Sequence, residues 1–370
     1  MKDAAAIASA AATLRARREP FLMATVVRVQ GSSYRRPGAR LIATAEGRLA
    51  GTISGGCLER DLLRTGFWRA RHGPVLVRYD SQDLDEGEPV LGCGGIVEVL
   101  LEQGTAGAED DPLALLTGVL SSDQAAALAT VFQTTDRSIP LGARWALRGG
   151  SLAEASHPGH PRAPGLLDAM ASASAKVLAT ERAACLELAT DQGVVDVLVE
   201  PILPAPHVFI FGEGPDVLPL VTMARHLGWR VTVWGAPDSL GNRAHLVAAG
   251  AVVESDLEVV RGRVDASHRA MAVVMGHSLS RDREALRAAL ASRAVYIGVL
   301  GPRHRTASLA AEVSHGLLAD PRVHAPIGLD LGAETPEEIA LSIASEILAR
   351  IRGASHAPLR QRETIHGGAT

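Results

Sequence analysis

Two cysteines, each set among glycines at the end of a regular element, are the residues of this sequence best placed to do chemistry. The first lies in GTISGGCLERD (residues 51–61). A short strand over 48–53 turns through Ser54, Gly55 and Gly56 into a helix over 58–71, marked by Leu58/Leu62 and Leu63/Phe67 four apart. Cys57 then stands at a helix start, where free N–H groups and the macrodipole favour an anion and lower the pKa of a thiol held among them. The paired glycines permit positive φ and let a ligand come close to the backbone. The second cysteine lies in the turn Leu91, Gly92, Cys93, Gly94, Gly95, which leads into a strand over 96–102. The pair admits three uses: buried small hydrophobes, nucleophiles, or soft ligands beside N–H groups that meet the anionic part of a thiophilic ligand or metal.

A basic loop comes just before the first cysteine turn. In GSSYRRPG (31–38), Arg35 and Arg36, with Arg40 close behind, are either a solvated charged face or contacts to a phosphate. The loop leads into a strand pair, 40–43 and 48–53, joined by a tight turn at Glu46 and Gly47. Farther on, an apolar strand over 207–211 opens into Gly212, Glu213, Gly214 and then a helix, a partial dinucleotide fingerprint without its third glycine. The next strand ends Val233, Trp234, Gly235, so the carboxylate that holds a ribose in such folds is missing. Arg243 is the nearby candidate for a 2′-phosphate.

The chain of 370 residues is long enough for two domains. A net charge of -4 supplies no basic field for nucleic acid, and 3% aromatic residues supply no stacking platform. Residues 1–13 lack the apolar core of a secretory leader, and no window reaches the length of a membrane span, so a cytoplasmic protein without a membrane partner is expected. Three cysteines without a CxxC pair suggest neither a disulfide framework nor a four-ligand zinc site. Cys185, in ACLEL, is expected as a buried strand thiol, and His157 and His160 as exposed residues of a proline-rich loop.

Residues 1–200 have the pattern of a mixed α+β domain, with a helix over 4–18 and strands over 21–29, 75–79, 125–133, 143–147, 185–189 and 194–200. PILPAP (201–206) has three prolines, which argue against a helix or a central strand and mark a linker. From 207 to 354 strands alternate with helices, the signature of a doubly wound parallel α/β sheet. Its last helix is announced by Thr335, Pro336 and Glu338, then by Ile339, Ile343, Ile347 and Ile351 as a buried stripe. The tail, 355–370, is expected to be disordered, and no internal repeat is visible.

ATVVRVQGSSYRRPGARLIATAEGRLAGTISGGCLERDL (24–62) and YDSQDLDEGEPVLGCGG (79–95) resemble the N-terminal region of the XdhC/CoxI family. HVFIFGEGPDVLPLVTMARHLGWRVTVW (207–234), AVVMGHSLSRDREALRAALASRAVYIGVLGPRHRT (272–306) and HAPIGLDLGAETPEEIALSIASEI (324–347) resemble its C-terminal Rossmann domain. The resemblance implies an accessory protein that binds molybdenum cofactor (molybdopterin) and helps its sulfurated form reach a xanthine dehydrogenase-type molybdoenzyme. A cysteine desulfurase as sulfur donor and a homodimer belong to the same expectation. Gly55, Gly56 and Cys57, and Gly92, Cys93, Gly94 and Gly95, match the two cysteine motifs; Gly212, Gly214 and His277 match positions of the Rossmann half. Tyr34, Pro215, Gly235 and Gly276 depart from the family pattern, three of them around the Rossmann crevice. Two functions stay open at this point: a cofactor-binding chaperone, or an NAD(P)-dependent oxidoreductase acting on a small metabolite through the Rossmann crevice.

Overall fold

The computed structural model describes residues 2–31, 33–80, 95–107, 111–120, 124–148, 151–155, 164–235, 240–314 and 316–361. The chain divides into two compact units, Asp3–Leu203 and Pro204–Ile365. The first unit runs α1 (Lys2–Arg17), β1 (Pro20–Gln30), β2 (Arg40–Thr44), β3 (Gly47–Gly51), α2 (Cys57–Arg69), β4 (Val75–Asp80) and β5 (Ile96–Thr105). It then continues α3 (Ala114–Leu120), β6 (Ala126–Thr134), β7 (Arg144–Arg148), β8 (Ser151–Ala155), α4 (Pro164–Thr180), β9 (Ala184–Thr190) and β10 (Gly193–Ile202).

These elements form two antiparallel sheets of five strands, ordered β3-β2-β1-β5-β4 and β8-β7-β6-β10-β9. The second order is the first repeated one module later. Register repeats as well: Leu22 faces Ala43 and Gln103, and Ala127 faces Leu147 and Pro201. The unit is therefore an internal duplication, contrary to the absence of a repeat in the sequence pattern. Its sequence trace is the tripeptide Gly38-Ala39-Arg40, recurring as Gly142-Ala143-Arg144. What repeats is strand order and register, and many different side chains satisfy those.

The layers are helix, sheet, sheet, helix. Along β1, Leu22, Ala24 and Val26 pack with Leu58 and Leu62 of α2, whereas Phe21 and Met23 pack with Ala126, Leu128 and Ala146 of the second sheet. Burial on both faces explains why this strand reads as an unbroken apolar run. Val27, Leu100, Phe132 and Leu198 form a central cluster of equivalent positions, two from each repeat. The repeats cross-link there through two reciprocal buried pairs. Arg40 holds Glu200, with Nη1 3.0 Å from Oε2, and Arg144 holds Glu102, with Nη1 2.9 Å from Oε1. Each guanidinium also donates at 3.0 Å to the carbonyl of its own Gly38 or Gly142. Both glycines have positive φ, +93° and +84°, and a Cβ there would lie 2.5 Å from Glu200 Oε2 or 2.7 Å from Glu102 Oε1.

Several local expectations change. Strand β10 runs through Pro201 to Ile202 although proline lacks a ladder donor, because its pairing with β9 stops at Val199, leaving one side of β10 open there. Helices α3 and α4 and strand β8 went unread. Helix α4 begins at Pro164 and buries Leu166, Met170 and Val177 among small residues that blunt its apolar stripe. Cys185 does sit in a strand, but it is exposed at the edge strand β9, where its Sγ reaches across to the other sheet and donates to Val27 O at 3.2 Å. His157 and His160 lie outside the described residues.

The second unit runs β11 (His207–Phe211), α5 (Val217–His226), β12 (Arg230–Trp234), α6 (Leu240–Ala248), β13 (Val252–Glu254), α7 (Leu257–Ala266) and β14 (Ala270–Val274). It closes with α8 (Leu279–Leu290), β15 (Tyr296–Val299), α9 (Arg303–Val313), β16 (Val323–His324) and α10 (Pro336–Arg352). Its sheet is parallel, in the order β13-β12-β11-β14-β15-β16. This is the doubly wound arrangement, with chain order reversing between β11 and β14. The cap of α10 is as the sequence implies. Thr335 Oγ1 accepts from Glu338 N at 3.3 Å, Glu338 Oε2 accepts from Thr335 N at 3.0 Å, and Ile343, Ile347 and Ile351 enter the core. Thr335→Ala is expected to lower unfolding stability by about 1 kcal/mol, read from the shift in urea midpoint. Of the tail expected to be disordered, residues 355–361 are described, exposed, and close with one 3-10 turn at Leu359–Gln361. Among the described residues, no helix is long and apolar enough to cross a membrane.

Candidate functional site

Antiparallel pairing delivers three connections of the first sheet to one end. Gln30, last in β1, and Asp80, last in β4, both face Ile96, first in β5; Arg40, first in β2, faces Thr25, and Gly51, last in β3, faces Leu41. The basic loop after β1 and the turn 52–56 therefore leave the same edge of the layer, where β4 also ends and β5 begins. Tyr79, at the end of β4, donates its hydroxyl to Asp61 Oδ2 at 2.8 Å, and Arg69 lies 3.3 Å from the same oxygen. This ties the start of α2 to the end of β4. Burial, then Asp61, pushes the Tyr79 phenol up, so it stays a donor.

The turn before Cys57 is built around Glu59. Its buried carboxylate accepts from Ile53 N at 3.0 Å, Ser54 N at 2.7 Å, Gly56 N at 3.0 Å and Thr52 Oγ1 at 2.5 Å, and takes the Ser54 hydroxyl as well. Ser54 Oγ in turn accepts from Leu58 N at 3.2 Å. Burial alone would raise the acid, yet the bonds from Ser54, Thr52 and the backbone outweigh it and hold Glu59 at about 2. The amides expected to be free for an outside anion are thus largely engaged by the protein's own carboxylate. That removes much of the argument for a lowered Cys57 pKa. The turn keeps an open outer side: a Cβ on Gly55 or Gly56 would meet nothing within 4 Å, and Gly56 holds φ +121° at the helix cap.

The other expected site residues separate into groups. Arg36 is exposed and Arg35 half-buried in the loop at this edge, whereas Arg40 is turned inward onto Glu200 and takes no part. Gly95 is buried just before β5; Gly92, Cys93 and Gly94 lie outside the described residues. Gly212, Gly214 and His277 come together in the second unit, where His277 Nε2 lies 3.3 Å from Asp216 Oδ1 at the start of α5. Arg243 is exposed on α6.

Two family models match the chain: the XdhC and CoxI family over residues 14–80 and the XdhC Rossmann domain over residues 208–347. The chain belongs to the XdhC/CoxI family. Similar proteins agree. A Bacillus subtilis protein described as a probable xanthine dehydrogenase subunit is 27% identical over 334 residues, which are 89% of this chain and 93% of that one. The Escherichia coli molybdenum cofactor insertion chaperone PaoD is 23% identical over 340 residues, 88% of this chain and 82% of that one. A crystal structure described as a xanthine dehydrogenase from Bacillus halodurans superposes with a TM-score of 0.68 at 25% identity, covering 96% of this chain and 99% of that one.

Within this XdhC/CoxI chain, Glu59 is the site residue that motif reasoning passed over. Its signal was present as the spacing from Gly56 to Glu59, that of a helix cap and its third residue. A second unread group ties the XdhC Rossmann sheet to α10. There Glu346 accepts from His324 Nδ1 at 3.0 Å, Gly328 N at 2.8 Å and the Tyr296 hydroxyl, and is held at about 2 against the upward push of burial. The buried Tyr296 stacks at 4.4 Å on the half-buried His324, which makes this a structural cluster.

Proposed function

We propose that this chain is an accessory protein that binds molybdenum cofactor (molybdopterin) at the loop edge of the first sheet and passes it to a xanthine dehydrogenase-type molybdoenzyme. The observation that carries the proposal is the delivery of the loop after β1 and the 52–56 turn to the edge where β4 ends and β5 begins. The similarity to PaoD, a molybdenum cofactor insertion chaperone, supports molybdenum cofactor as the ligand proposed for that edge. Molybdopterin has a phosphate and a dithiolene-held metal, and the residues present suit both: Arg35 and Arg36 for the phosphate, the open faces of Gly55 and Gly56 for a close approach, and Cys57 for a soft centre. Cys93, in the second cysteine motif, is proposed as a further soft ligand from its sequence alone. When bound, the group supplies a metal centre able to take up sulfur, and a cysteine desulfurase is the proposed donor. We place the protein in the cytoplasm as a homodimer.

Protein purified from cells able to make molybdenum cofactor is expected to carry a pterin, seen by mass spectrometry and in the absorption spectrum. A nicotinamide in its place would favour the oxidoreductase alternative and overturn this assignment. Arg36→Ala should weaken pterin binding by about 1.5–3 kcal/mol while leaving thermal unfolding unchanged. An unaltered affinity would return Arg36 to the solvated surface.

A further inference from the structure

The Rossmann crevice of the second unit does not fit the dinucleotide that its fold implies. In open parallel sheets a dinucleotide lies at the carboxyl ends of the strands where their order reverses, its ribose held by an acid at the end of the second strand. That second strand is β12, and it ends in Trp234, whose Nε1–H is committed to Ser255 O at 3.0 Å. Arg281, from the first turn of α8 beyond the reversal, crosses to it. Its guanidinium carbon sits 4.6 Å from the centroid of the Trp234 ring, and its Nη1 lies 2.5 Å from Glu213 Oε1 of the glycine turn. An arginine stacked on an aromatic face and fixed by a carboxylate occupies the ground on which an adenosine would lie.

The glycines of the turn point the same way. In a dinucleotide site the second glycine exists so that the pyrophosphate can approach the backbone. Here the space over Gly214 is filled by the protein: a Cβ would lie 2.3 Å from Asp216 Oδ1 and 2.4 Å from His277 Nε2. At Gly212 it would lie 2.7 Å from the carbonyl of Met275. Backbone packing therefore requires Gly212, whereas the space over Gly214 is taken by the ends of the Asp216 and His277 side chains. Glu213 and Asp216 also bring two carboxylates beside the helix N-terminus on which a pyrophosphate would rest.

We propose that Arg281, held between Trp234 and Glu213, fills the nucleoside subsite, and that this crevice consequently excludes NAD, NADP and adenine mononucleotides. The proposal is independent of the cofactor assigned to the first unit. Calorimetric titration of the full chain with NAD, NADP and AMP is expected to show no binding tighter than about 1 mM. Arg281→Ala, which vacates the ring of Trp234, is expected to tighten AMP binding at least about tenfold. Near-ultraviolet circular dichroism checks that the variant is folded, and Arg281→Lys, which keeps a charge for Glu213 but not the planar stack, replaces it if it is not. Wild-type binding of any of the three nucleotides tighter than about 1 mM would overturn the exclusion. A folded variant with unimproved AMP affinity would overturn the assignment to Arg281.

Discussion

Glu200→Gln is expected to destabilise the first unit by about 3–5 kcal/mol, because it leaves the Arg40 guanidinium buried without a counter-charge. That is a large part of the roughly 5–15 kcal/mol that typically separates folded from unfolded states. Duplication supplies an internal control. Glu102→Gln strands Arg144 in the equivalent place and should shift the urea midpoint by a similar amount. Replacing both partners, as in Arg40→Met with Glu200→Leu, should restore most of the loss, since no charge is then left in the interior. If either single variant loses less than about 1 kcal/mol, the pairs are not the cross-links between repeats that their burial implies.

Glu59→Gln is expected to disorder the turn that leads into Cys57, since an amide nitrogen would face groups that are themselves donors. The held acid sits at about 2 against its ordinary 4.5, which after allowance for solvent near the turn corresponds to about 2–3 kcal/mol. A lowered folded pKa fixes the sign. The contribution is complete above about pH 4.5 and disappears as pH falls towards 2, where the unfolded chain binds the proton first. Stability against pH for wild type and variant should therefore differ at neutral pH and converge in acid. Pterin binding by the folded variant should fall at least about tenfold if the turn presents the ligand surface. Undiminished binding would show that Gly55 and Gly56 do not.

The parallel C-terminal sheet, its glycine turn and the capped last helix were legible before any fold was known. These are local signals: a period of 3.6 or 2, a cap, a proline, each readable within a dozen residues. The family was legible too, because several short motifs occur in one order. Which charges face the loop edge and which hold the fold together depended on three-dimensional packing. Arg35, Arg36 and Arg40 look alike within six positions, yet Arg40 is spent on Glu200, which lies in the other repeat. Duplication was hidden for the same reason, since pairing of distant strands constrains register and leaves side chains free. Glu59 and Arg281 complete the case. One turns an apparent anion site into a self-satisfied turn and the other covers Trp234 in an apparent dinucleotide crevice, because a charge finds its partner in space and not along the chain.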